Sequence, residues 1–341
     1  MQLDKFDYNL PPELIAQTPA DKRDHSRLLV YNNGNIEHKH FYDIVDYLKP
    51  GDVLVLNNSK VFPARLIGNK KTGGRVEVFL LNNKAEDTWE CLIGHTKPDL
   101  GLIIYFKDNL EAEIIEELDN TWIVKFNKSG KDLEKSIETV GNTPLPPYIK
   151  TEDSEDIKKR YQTVYADKTG SVAAPTAGFH FTEDLLEKIK QLGVEIQYVT
   201  LHVGLGTFAP VKTEDITKHK MHSEYYEVDS SVWDNIQKAK KENRRIISVG
   251  TTATRVLESV AKTNKLSDWT DIFIYPGYKY KVVDSLMTNF HLPKSTLLML
   301  VSALLENKDI TDGVEELKRI YNEAIEQSYH FYSFGDAMII I

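Results

Sequence analysis

A chain of 341 residues with 41% hydrophobic and 27% charged residues has the make-up of an ordinary globular protein and can bury a substantial core, with two domains expected. Its formal charge of −9 excludes a protein that coats nucleic acid nonspecifically, though not one that grips it through a local patch. The single cysteine, Cys91, excludes an intramolecular disulfide and a cysteine-based metal site.

No apolar run approaches the roughly 20 residues that cross a bilayer, so no membrane partner is expected. The start, Met1 to Tyr8, lacks the basic and apolar regions of a signal peptide, and a cytoplasmic protein is expected. Leu28-Leu29-Val30-Tyr31 reads as a strand ended by Asn32-Asn33-Gly34, and Asp52 to Leu56 as a buried strand stopped by Asn57-Asn58-Ser59.

Beyond Arg65 the texture changes to short β-type runs. These are Arg75 to Leu81, Thr88 to Ile93, Leu102 to Phe106, Leu110 to Ile115 and Thr121 to Phe126. Short strands at near-regular spacing predict a small barrel or sandwich. Thr143-Pro144-Leu145-Pro146-Pro147-Tyr148 reads as its exit linker.

Further on, strands alternate with helices. Thr182 N-caps a helix with acids in its first turn, and a strand from Val194 to Val203 follows Leu192-Gly193. Trp233 to Asn243 reads as a helix, Arg245 to Val249 and Ile272 to Tyr275 as strands, and the segments from Ser295 and from Val314 to Glu326 as helices. The expected fold is therefore an α/β main domain, built from 1–65 and 151–341, with a small inserted all-β, barrel-like domain at 66–150.

Charge is unevenly placed. From Lys60 to Arg75 five basic residues (Lys60, Arg65, Lys70, Lys71 and Arg75) occur with no acid. From Lys84 to Glu138 seven basic residues face thirteen acidic ones. Such a run is usually a solvated loop, but Gly73-Gly74 puts it on a turn where phosphate approaches easily.

Four segments bring small, polar and imidazole residues together after predicted strands, where ligands of α/β sheets sit. They are Gly170 to Thr182, Thr200 to Phe208, His219 to Glu224 and Thr288 to Thr296. Gly204-Leu205-Gly206 lacks the third glycine and the following helix of a dinucleotide or methyltransferase fingerprint, so that reading is rejected. His219 and His222 are three apart near Glu224, a weak metal spacing without a His-Glu-x-x-His frame, and no metal is expected. Each histidine alone serves equally well to order its loop, but five histidines (180, 202, 219, 222 and 291) in four Gly/Thr-rich loops point to a site. A nonenzymatic RNA-binding protein would need interleaved basic and aromatic residues on the β unit, which is instead acidic.

The chain resembles the S-adenosylmethionine:tRNA ribosyltransferase-isomerase family of queuosine biosynthesis. The resemblance runs through Phe6-Asp7-Tyr8-Asn9-Leu10-Pro11, Ser26-Arg27-Leu28-Leu29, Pro63-Ala64-Arg65-Leu66, Tyr161 to Ala166, all four loops, Val249 to Ser259, Phe273 to Tyr278 and Ser333 to Met338. Asn58-Ser59-Lys60 stands where the family usually shows Asp-Thr-Arg, and His330 where Arg is usual. The resemblance implies transfer and rearrangement of the ribosyl unit of S-adenosylmethionine onto 7-aminomethyl-7-deazaguanine at the wobble position of a tRNA with a GUN anticodon. The implied products are epoxyqueuosine, adenine and methionine. S-adenosylmethionine is then consumed as a substrate, with no permanently bound cofactor and no obligate protein partner, and a monomer is expected. In those terms His180 and His202, then His222 and His291, are the expected proton-transfer residues. Thr176, Gly178, Gly204, Gly206 and Thr207 would line the nucleoside pocket, with Glu224 or Asp336 on ribose hydroxyls or the methionine ammonium. Arg255 would meet a carboxylate or phosphate, unless it pairs with Glu258 on its own helix, and Lys60, Arg65, Lys70, Lys71 and Arg75 would meet tRNA.

Overall fold

The structure is a computed structural model and describes residues 1–146, 148–150, 154–204, 206 and 211–341. Strands that are apolar on both faces must be covered on both sides, and the sequence supplies the covers. In Val53–Asn57, Leu54 and Leu56 pack to one side of the sheet and Val53 and Val55 to the other. The first strand does the same, with Leu28 and Val30 facing one cluster and Leu29 and Tyr31 another. Helix Glu183–Gln191 covers one face beside the turns at Phe41–Tyr47. The helices Ser230–Lys241, Gly250–Thr263, Thr296–Glu306 and Gly313–Glu326 complete the packing.

The sheet has nine strands. In spatial order they are Ser267–Thr270, Glu224–Glu227, Glu195–Leu201, Val53–Asn57, Ile246–Val249, Ser285–Asn289, Ala337–Ile340, Arg27–Asn32 and Asn35–His40. The four from Glu195–Leu201 to Ser285–Asn289 are mutually parallel, so their carboxyl ends emerge along one edge. Ser285–Asn289 and Ala337–Ile340 are antiparallel, which brings Asn289 opposite Ala337.

A second sheet of seven strands begins at Arg65–Asn69 and ends at Gly141–Asn142. It closes on itself where Asn69 pairs with Tyr105, giving the expected barrel. One helix in this unit, Gly130–Val140, was not expected. Leu133 and Ile137, one helical turn apart, plug into the barrel cluster. The chain leaves and re-enters the α/β unit through a two-stranded parallel stem, Ser59–Val61 with Lys168–Ser171.

Ile272 to Tyr275 is not a strand, contrary to expectation. Ile272 and Ile274 do alternate into the core, but the edge strand beside Glu224–Glu227 is the preceding Ser267–Thr270, so the later segment packs without joining a ladder. The exit linker is not a bare spacer either. Tyr148 lies against Tyr332 with ring centroids 4.3 Å apart, and its hydroxyl is 2.5 Å from Ser333 Oγ.

The turn from strand Ile246–Val249 into helix Gly250–Thr263 has no intervening loop. Gly250 makes it with φ +83, where a Cβ would meet Ala177 Cβ at 3.4 Å. Replacing Gly250 by Ala should cost about 1–2 kcal/mol, read as a lowered thermal midpoint, because an L side chain is strained at this φ.

Candidate functional site

A cavity of about 450 Å³ opens beyond the carboxyl ends of the parallel strands, within the size range of small-molecule sites. Its walls come from segments far apart in sequence, as a switch-point site requires. Ala173 to Ala177 follow the stem, Val203 follows Glu195–Leu201, Gly250 to Thr252 open a helix, and Thr288 to Ser295 follow Ser285–Asn289. Tyr148, Tyr161, Tyr332 and Ser333 close the far side. The hydroxyl of Tyr161 is buried.

The polar floor is ordered by a relay. Thr176 Oγ1 donates to Asn289 Oδ1 at 2.9 Å, and Asn289 Nδ2 lies 3.1 Å from His180 Nε2. The other nitrogen of His180, Nδ1, is 2.7 Å from Ser26 Oγ. With Asn289 donating to Nε2, the proton of this imidazole sits on Nδ1. The ring stacks on Phe41 at 4.9 Å, and burial lowers its pKa to about 4. His291 lines the cavity itself, with Nε2 2.9 Å from Thr288 Oγ1, and burial lowers its pKa to about 3.

A smaller recess adjoins the cavity and shares Thr251, Thr252 and Leu297 with it. Arg255 and Glu224 form a buried ion pair there, and Glu224 Oε1 accepts the Gly204 N–H at 2.7 Å. His219, His222 and Gly206 also line the recess.

A family model described as queuosine biosynthesis protein matches residues 3–340. A protein of Sulfurihydrogenibium sp. (strain YO3AOP1) named S-adenosylmethionine:tRNA ribosyltransferase-isomerase is 53% identical over 100% of both chains. One of the same name from Clostridioides difficile (strain 630) is 52% identical, again over 100% of both. The chain belongs to the S-adenosylmethionine:tRNA ribosyltransferase-isomerase family. The crystal structure of S-adenosylmethionine tRNA ribosyltransferase from Thermotoga maritima is similar, at 36% identity and a TM-score of 0.56 over 99% of this chain and 100% of that one.

Against the sequence expectations, this member of the family distributes its histidines over three environments. Of the four expected at the chemistry, only His291 lines the cavity, and His222 lines the recess. His180 sits one layer below the floor with both ring nitrogens engaged. His202 turns its ring away, against Gly170, whose Cβ would meet Nδ1 at 2.6 Å, and lies parallel to Tyr225. Its Nδ1 is buried without a partner among the described residues, and burial depresses its pKa.

Other expectations are corrected by packing. Asp336 is spent on the backbone, accepting the N–H groups of Arg27 at 2.7 Å and His330 at 2.8 Å. Gly178 faces Tyr165, whose hydroxyl lies 2.0 Å from where a Cβ would stand, so it serves close packing rather than the cavity wall. Arg255 does not pair with Glu258, which instead accepts three backbone N–H groups, of Lys281, Val282 and Val283, and the Tyr278 hydroxyl. Arg65 lies over Phe79 at 5.6 Å and near Glu77 at 3.7 Å, while Lys60, Lys71 and Arg75 are exposed and Lys70 half-buried. Thr176 and Gly206 reach the cavity and the recess respectively, and Gly204 touches the site through its N–H. Thr207 lies outside the described residues. Tyr161 and Thr252 were given no role in advance; the signal for Thr252 was its place just after a strand-ending glycine.

The two buried imidazoles make stability depend on pH with a definite sign. Both are depressed, so the unfolded chain takes up protons first, and stability is complete above 6.5. As pH falls it is lost, through about 4 for His180 and about 3 for His291. His180→Gln keeps an amide in the relay without a titrating group. The variant should flatten the fall of the thermal midpoint between pH 6.5 and 4, removing a pH-dependent loss of the order of 3 kcal/mol.

Proposed function

We propose that the protein transfers the ribosyl unit of S-adenosylmethionine to 7-aminomethyl-7-deazaguanine at the wobble position of a tRNA with a GUN anticodon. The ribosyl unit is rearranged to give epoxyqueuosine, while adenine and methionine leave. The observation that carries this reading is the nucleoside-sized cavity at the carboxyl ends of the parallel strands, in a chain of this family. S-adenosylmethionine is consumed as substrate, no further cofactor takes part, and the protein works in the cytoplasm.

The reaction needs a base for the acidified carbon next to the sulfonium, a deprotonated substrate amine, and help for departing adenine. His291 is the proton-transfer group, because it alone of the four histidines lines the cavity. Its depressed pKa keeps it unprotonated near neutral pH. Thr288 holds its Nε2, which leaves Nδ1 to act. His180 is a positioning residue that orients Asn289 and, through it, Thr176. The tRNA backbone approaches the turn at Lys70 to Arg75, where the Lys70 N–H bonds to the Gly74 carbonyl at 2.7 Å and Lys71 and Arg75 reach solvent.

Incubation with S-adenosylmethionine and RNA bearing the deazaguanine should release free adenine; none released by folded protein would sink the reading. His291→Asn should lower kcat by about 10²–10⁴-fold, the range for loss of a general acid–base group, with the thermal midpoint largely retained. Reversing charge at the turn, with Lys70→Glu and Lys71→Glu together, should raise KM for tRNA and flatten its salt dependence while kcat is kept. Unchanged KM and salt slope would exclude the turn from the RNA footprint.

A further inference from the structure

The recess beside the cavity holds buried hydrogen-bonding capacity that the fold leaves unused. Arg255 stands on the second turn of the Gly250–Thr263 helix with its side chain only 7% exposed. Its Nη1 bonds to Glu224, but Nε and Nη2 have no partner among the described residues. A buried donor left unmade costs about 1–3 kcal/mol, more when charged, so a protein that keeps two on one guanidinium keeps them for something.

Further donors surround them. Thr252 Oγ1, in the wall shared with the main cavity, is buried and equally without a partner. The helix it belongs to has 14 residues and no side-chain cap at its N-terminus, so the positive end of its dipole and its first N–H groups face the same space. All of these favour an anion. Beyond the guanidinium lies the Glu224 carboxylate, fixed by the Gly204 N–H. A positive and a negative charge therefore stand side by side, the complement of an α-amino-acid zwitterion. Because the recess and the nucleoside-sized cavity share the wall of Thr251, Thr252 and Leu297, one ligand bound across that wall's edge would put a heterocycle in the cavity and an amino-acid tail in the recess.

We propose that the recess is the subsite for the amino-acid end of S-adenosylmethionine. The carboxylate sits against Arg255, Thr252 and the N-terminus of the Gly250–Thr263 helix, and the charge of Glu224 draws the α-ammonium. This rests on the reading that S-adenosylmethionine occupies the cavity, and it adds which end goes where. The sulfonium then lies at the junction of recess and cavity, which orients the adjoining ribose toward the wall that carries His291 and Asn289.

Two thioethers separate the subsite from the rest of the ligand: S-adenosylhomocysteine carries the amino-acid tail, and 5′-methylthioadenosine lacks it. Calorimetry on the wild-type protein should show the first binding at least about tenfold tighter. Thr252→Val and Arg255→Lys, each with a wild-type thermal midpoint within a few degrees, should remove most of that difference while leaving methylthioadenosine binding unchanged. Equal loss of both ligands, or loss of neither, would overturn the proposal. So would weakened tRNA binding with the contrast between the two thioethers intact, since the recess would then be a phosphate site. If Arg255→Lys fails to fold, Thr252→Val alone decides, being nearly isosteric. A wild-type protein that binds neither thioether overturns the S-adenosylmethionine reading itself, and the subsite with it.

Discussion

Parallel pairing of four central strands is the constraint from which the rest follows. Parallel strands need crossovers, crossovers put helices on both faces, and the strand carboxyl ends are left together at one edge. Segments that follow strands therefore meet in space although they are as distant in sequence as Ala174, Val203, Thr252 and His291. The abrupt turn at Gly250 sharpens this geometry. A longer connection would carry the start of the following helix away from the cavity; the glycine instead aims it inward.

Burial divides side chains of one type into different duties. His180 and His291 are both buried and both held unprotonated near neutrality, yet one closes a relay with Ser26 and Asn289 while the other borders open space. Asp336 and Glu224 differ in the same way. The first caps two backbone N–H groups; the second is tied to a guanidinium that still has donors to offer.

Much of the fold was legible from residue pattern. The uninterrupted apolar runs of Leu28 to Tyr31 and Val53 to Leu56 mark strands buried on both faces, and the short β runs from Arg75 to Phe126 mark the barrel. The Gly130–Val140 helix was legible too, from Leu133 and Ile137, but the surrounding β texture hid it. Ile272 to Tyr275 misled because alternation reports which side chains are buried, not whether the backbone pairs. The loops that build the site were legible as concentrations of glycine, threonine and histidine. Which residue in each loop turns inward was not, because that depends on partners such as Tyr165 against Gly178 or Tyr225 beside His202.

The parallel stem of Ser59–Val61 and Lys168–Ser171 bears on how such a molecule was assembled. Ser59 faces Lys168 and Val61 faces Ser171, so the chain returns to within a strand spacing, about 5 Å, of where it left. Everything between is, for the nine-stranded sheet, a loop whose ends are already closed. Lengthening or trimming such a loop costs little in closure entropy, since that cost rises only as the logarithm of its length. The barrel could thus be acquired, exchanged or reshaped while the cavity edge stayed as it is. A barrel and a cavity edge joined this way are free to diverge at different rates.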